Sequence, residues 1–208
     1  KVKGVYYAIA SIGLSVIMYS LFMNLEGITK GPFGIFGIAR PILFGISFTS
    51  ATSFLLFTLV IAGLSAFIID RLARTHFGRV LHAIREDEDA LTPFQYNIHK
   101  YKMTVFSIGA VFASISGSLY ASYISFINPS SFTLNESIFL LTVIILGGLA
   151  STRGVIAGVV ILTLLPEVLR FIGLPNEIAA QTRVILYGLA LIYLMYKRPV
   201  GLFGKYSL

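Results

Sequence analysis

The chain has 208 residues, 56% hydrophobic and 12% charged, with a mean hydropathy of +0.86. Soluble domains carry about 25% charged residues, so this composition leaves too little polar surface to cover a globule in water and excludes an ordinary soluble domain. The formal charge of +7 does not mark a nucleic-acid binder, because Lys and Arg stand at the ends of apolar runs, where topology determinants belong. The absence of Cys excludes disulfides and thiolate metal sites.

The apolar runs predict an all-α, polytopic membrane protein with about six membrane segments, two of them short, in a single transmembrane domain over residues 1–208. No cleavable signal peptide is evident. The opening Lys1-Val2-Lys3-Gly4, without Met, reads as a fragment incomplete at its N-terminus. Val5–Met23 is the first expected crossing. Gly27–Pro41 follows, rich in Gly and Pro. It reads as an outer connector that also touches a partner, in preference to a dedicated receiver for a binding protein. Ile42–Ile69 holds a short outer segment and a crossing at Ala51–Ile69, and Met103–Phe126 is the third span.

The later segments are less regular. Ser137–Thr152 is the fourth, Gly154–Pro166 the fifth, and Val184–Tyr196, extended back through Ile178–Arg183, the sixth. A helix rises ~1.5 Å per residue, so the fifth reaches only ~20 Å. Such a short pair must lie against protein or line a cavity. Gly147, Gly148, Gly154 and Gly158 flank the return at Ser151-Thr152-Arg153. Close helix packing is preferred there to direct substrate contact, and movement of the helices suits either reading. Glu167 and Arg170 share a helix face and read as a local ion pair at the outer rim.

If the chain starts inside and crosses at each segment, twelve of the sixteen Lys and Arg lie inside, and only Lys30, Arg40, Arg170 and Arg183 lie outside. That bias places the C-terminus and the polar stretch 70–102 in the cytoplasm. Within this stretch a short helix is expected from Arg79 to the break at Thr92-Pro93, with Gly78 freeing the turn into it. Apolar Val80, Leu81, Ala83 and Ile84 alternate with basic Arg79, His82 and Arg85, and acidic Glu86–Asp89 follow. An amphipathic helix of this kind suits docking into a groove on a soluble partner. From the pattern alone, a solvated loop is an equally open reading.

Catalytic signatures are missing. His76, His82 and His99 match no common metal spacing, and no phosphate-binding Gly-x-x-x-x-Gly-Lys-Ser/Thr loop is present. No nucleophile–base cluster falls in a span. No acidic residue lies inside the first three spans, which argues against an ion-coupled secondary transporter.

Gly78-Arg79-Val80-Leu81-His82-Ala83-Ile84-Arg85-Glu86-Asp87-Glu88 resembles the Gly-Arg-x-Leu-x-Ala-Ile-Arg-Glu-Asp-Glu motif of the branched-chain amino-acid ABC transporter permease family. Further matches follow in order: Tyr101-Lys102, then Ser116-Gly117-Ser118-Leu119-Tyr120-Ala121, Pro129-Ser130-Ser131-Phe132, Leu146-Gly147-Gly148-Leu149 and the ending Arg198-Pro199-Val200-Gly201-Leu202-Phe203-Gly204. The resemblance covers nearly the whole chain from Tyr6 onward.

It implies a multi-pass permease subunit of an ABC importer in a bacterial or archaeal inner membrane, without enzyme activity or cofactor of its own. The implied partners are two ABC ATPase subunits, a second related permease, a periplasmic or lipid-anchored solute-binding protein and membrane lipid. The implied solutes are leucine, isoleucine and valine, with urea or a short amide as the alternative. Gly78, Arg79, Leu81, Ala83, Ile84, Arg85, Glu86, Asp87 and Glu88 would form the ATPase-coupling segment. Gly117, Gly147, Gly148, Gly154 and Gly158 would serve helix packing or the translocation path. The chain departs from the family pattern at Thr92–Ile98 and at Lys30, which stands where Gly is common.

Overall fold

An apolar run with no polar face makes the first helix. α1 (Val5–Asn24) carries no charged residue, and its Ser11 and Ser15 hydroxyls donate to the carbonyls of Ala8 and Ser11 at 2.8 and 2.9 Å. Hydroxyls satisfied this way cost nothing in lipid. The computed structural model describes residues 5–43, 45–88, 91, 94, 96–148, 151–171, 188, 189, 192 and 196. They belong to two compact units, Lys1–Ser131 and Phe132–Leu208.

In the first unit, α1 is followed by the single turn α2 (Glu26–Thr29) and a 3-10 turn over Gly31–Phe33. Lys30 closes α2 in the left-handed region, at φ 59°. This conformation strains most residues other than glycine, so Lys30 holds it at a cost that Gly would avoid. β1 (Ile35–Phe36) pairs antiparallel with β4 (Phe126–Ile127), Ile35 opposite Ile127 and Phe36 opposite Phe126, with the two Phe rings 4.5 Å apart. Gly34 makes the pairing possible: its φ is 70°, and a Cβ there would stand 2.5 Å from the Ile127 carbonyl oxygen. β2 (Ile42–Leu43) and β3 (Ile46–Ser47) form a small hairpin.

α3 (Ala51–Ala73) starts where the Ser53 N–H donates to the Ser50 side-chain oxygen, 3.1 Å away, a standard N-cap. It runs four residues past the expected Ile69. The extension is held by an i,i+4 pair, Asp70–Arg74 at 2.9 Å, and by Arg71 lying over the Phe67 ring at 5.6 Å. α4 (His76–Glu86) follows after only two residues. α5 (Ile98–Ile124) begins five residues before the expected Met103, because the Asn97 side chain caps the Lys100 N–H at 3.0 Å.

The second unit contains a helical hairpin of α6 (Leu134–Gly147) and α7 (Thr152–Phe171). Val143, Leu146 and Leu162 form its core, with Phe139 and Val155 against them. Thr142 is fully buried and donates to the Ile138 carbonyl at 2.8 Å, so burial leaves it satisfied. The Ser151 hydroxyl caps α7 by accepting from the Gly154 N–H at 3.1 Å.

The polytopic all-α class holds, with two minimal β pairings added. Tyr6–Asn24, Ala51–Ala73, Ile98–Ile124 and Pro129–Gly147 are long and apolar enough to cross a membrane. Large apolar side chains face outward in mid-helix: Val60 is 68% exposed and Phe106 69%, an arrangement suited to lipid. One boundary needs correction. The fifth segment does not stop at Pro166; α7 continues to Phe171, twenty residues or about 30 Å. An interior proline removes one N–H, a loss that membrane helices tolerate. Most of the sixth expected segment, the Glu167–Arg170 side-chain pair, Leu149, residues 92, 93 and 95 of the Thr92–Ile98 departure and the C-terminal motif lie outside the described residues.

Candidate functional site

α4 is the amphipathic helix that the motif foreshadows. It begins three residues earlier than expected, at His76, and Gly78 lies inside its first turn rather than ahead of it. The role of Gly78 is close approach. It is buried, and a Cβ there would stand 2.1 Å from the Ala73 carbonyl oxygen and 2.5 Å from its carbon. A side chain would therefore separate α4 from the end of α3.

The apolar face of α4 is anchored by buried Val80 and Ile84, each worth about 1.5–3 kcal/mol on burial. Phe77 stacks on Tyr101 of α5, ring centroids 5.4 Å apart and 20° from parallel. Beyond α4, Glu88 pairs with Lys102 at 2.6 Å. That pair is half exposed and contributes on the order of 1 kcal/mol or less, so apolar anchoring dominates. α4 thus touches both the last turn of α3 and the first turn of α5.

The opposite face is presented outward. Arg79, Arg85, Glu86 and Asp87 are exposed, while Leu81, His82 and Ala83 are half buried. The structure therefore gathers Gly78, Arg79, Leu81, Ala83, Ile84, Arg85, Glu86 and Asp87 on or at the end of one short helix, and ties Glu88 back to α5. Val80, Phe77 and Lys102 complete the arrangement. Tyr101-Lys102 already stood in the sequence pattern, but nothing there showed which residues they meet. Among the described residues, no group of three or more His, Asp or Glu could hold a metal.

The glycines divide. In the second unit, a Cβ on Gly147 would stand 2.3 Å from the Gly154 carbonyl oxygen, and one on Gly158 would stand 2.7 Å from that of Val143. Gly148 turns the chain out of α6 at φ 106°. Gly117 has nothing within 4 Å of its Cβ position, so the structure does not bring it into a comparable approach.

At the end of α3 and α5 away from α4, the two helices form an open groove of about 570 Å³, lined by Thr52, Leu55, Thr58, Ser116 and Leu119 among others. Phe54 and Tyr123 also line it, their rings 5.5 Å apart. Arg40 lies over the Phe54 ring at 5.8 Å and donates to the Thr49 carbonyl.

Lipid-length apolar helices, two of them joined through a short amphipathic helix, define a multi-pass helical membrane protein. The family described as "Branched-chain amino acid transport system / permease component" matches residues 1–195, and the chain belongs to it. The apolar helices and this membership place it in the inner membrane.

The chain is 34% identical to the high-affinity branched-chain amino acid transport system permease protein LivM of Salmonella typhimurium strain LT2, over 97% of this chain and 51% of that protein. It is 33% identical to the LivM protein of Escherichia coli strain K12, over the same shares. To the probable branched-chain amino acid transport permease protein LivM of Methanocaldococcus jannaschii it is 29% identical, over 97% of this chain and 61% of the relative. The chain spans about half the length of the enterobacterial relatives it matches. No solved structure matches it.

Proposed function

We propose that this chain is part of a permease subunit that carries leucine, isoleucine and valine inward, driven by ATP hydrolysed on two separate ABC ATPase subunits. A second related permease completes the pore, and an exported or lipid-anchored binding protein delivers the solute. The C-terminus and α4 lie in the cytoplasm, the side favoured by twelve of the sixteen Lys and Arg.

The observation that carries this reading is the seating of α4. It offers Arg79, Arg85 and Glu86 outward and packs its back against α3 through Gly78 and α5 through Phe77. A push delivered by closing ATPase subunits is then passed to both spans as a rigid-body movement. The charged face fixes register on the ATPase more than it adds affinity. The branched-chain solute class rests on the relatives named above.

Arg85→Glu in the assembled transporter is expected to lower ATP-driven leucine uptake at least tenfold and to weaken retention of the ATPase. Like charges brought together at an interface cost several kcal/mol. Uptake in proteoliposomes and co-purification of the ATPase measure the two effects. Wild-type values for both would remove Arg85 from the docking face.

A further inference from the structure

We infer that the groove between α3 and α5 is a binding station for the solute, shaped for a free α-amino acid with an apolar side chain. This rests on the import reading and adds to it a place and a recognition chemistry.

Three observations carry it. First, the groove is amphiphilic: Leu55 and Leu119 give it an apolar wall, and Thr52 and Ser116 bring hydroxyls from the two facing helices. Neither hydroxyl is hydrogen-bonded among the described residues, whereas Thr58, Ser107 and Ser118 return theirs to their own helix at 2.9 Å. As they are oriented, an acyl chain or an apolar helix would leave these hydroxyls without partners, at a cost of up to about 1–3 kcal/mol each unless they turn back to their own helix. A small polar-ended solute would not. The volume, about 570 Å³, falls inside the range of about 300–1,000 Å³ typical of small-molecule sites.

Second, a cation stands next to one of the lining residues. The half-buried Arg40 guanidinium sits over Phe54, a lining residue, and is held there by the Thr49 carbonyl. Its remaining N–H groups suit a carboxylate. An arginine over a lining ring, with leucines in the wall, fits a carboxylate-bearing apolar amino acid better than neutral urea or a short amide.

Third, the groove and α4 occupy opposite ends of the same two helices. A tilt of α3 relative to α5 imposed through α4 alters the spacing of their far ends. The station would therefore widen or tighten with the ATPase cycle, holding the solute weakly through uncharged hydroxyls and releasing it when the helices part.

The test uses the full transporter, with its binding protein, in proteoliposomes. Ser116→Trp fills the groove from an exposed position. It is expected to cut leucine uptake at least tenfold while complex recovery and ATPase rate stay within twofold of wild type. The chain has no Cys, so Ser116→Cys, with cysteines elsewhere in the complex replaced, adds one reporter thiol. Leucine is expected to slow its methanethiosulfonate modification at least fivefold, and leucinol, which lacks the carboxylate, is not. Arg40→Lys should keep that protection and Arg40→Gln should lose it.

Wild-type uptake by Ser116→Trp, or no protection by leucine, overturns the inference; a groove filled by lipid or by another helix gives that result. A wild-type complex that carries no leucine overturns the import reading, and the station with it.

Discussion

Gly78→Ala is expected to uncouple the transporter: the chain still inserts and the spans still form, but ATP-driven leucine uptake falls at least tenfold. The reason is geometric. The added methyl group would sit 2.1 Å from the Ala73 oxygen and 2.7 Å from the Ala73 Cα, and both are backbone atoms at the end of α3. No rotamer change relieves that contact, so α4 must lift away. Overpacking of this kind costs about 1–3 kcal/mol, comparable to what one of the anchors Val80 and Ile84 supplies. With about 1.4 kcal/mol per factor of ten, the equilibrium constant for seating α4 falls about five- to 140-fold. Gly63→Ala in α3, where nothing lies within 4 Å, is the matched control and should transport normally. Normal uptake by Gly78→Ala would show that seating of α4 on α3 does not carry the coupling.

The second large effect belongs to the α6–α7 hairpin. Gly147→Ala would press a methyl group to 2.3 Å from the Gly154 oxygen and 2.5 Å from its carbon, where the helices meet backbone to backbone. The cost is expected to be about 3 kcal/mol, the upper part of the overpacking range, because neither side can rotate away. In lipid, with little hydrophobic drive between helices, such close approach is a main source of their cohesion. Reversible unfolding in mixed detergent micelles measures it. Gly117→Ala, with open space around its Cβ, should change stability by no more than about 0.5 kcal/mol. Equal stability of the two variants would contradict the packing role of Gly147.

What could be read in advance follows from which physical forces act locally. α1, α3 and α5 were legible because a lipid span is specified by the length of an apolar run alone. Their ends were less so: Asp70–Arg74 and Arg71 over Phe67 carry α3 past its uncharged run, and Asn97 starts α5 early by a cap. α4 was recognisable from its alternating apolar and basic residues, yet Gly78 misled. A glycine before a helix ordinarily marks a turn, and only the position of Ala73 reveals that it is there to leave room. The charges at Glu167 and Arg170 misled similarly: the uncharged stretch ends at Pro166, whereas α7 runs five residues further, to Phe171. The pairing of β1 with β4 and of Glu88 with Lys102 joins residues distant in sequence and carries no local signal. Arg40 was legible as an outer cation, but its place beside a groove was not.

The most direct test of the central claim, that α4 passes the motion of an ATPase to α3 and α5, is site-directed crosslinking from the outward face of α4. In the assembled transporter, with other cysteines replaced, Arg79→Cys carrying a short photoactivatable label is expected to crosslink to the ATPase subunit, with a yield that changes at least threefold between the ATP-bound and nucleotide-free states. An ATPase that purifies with the complex and turns over normally, yet gives no crosslink from this position in either state, would contradict it.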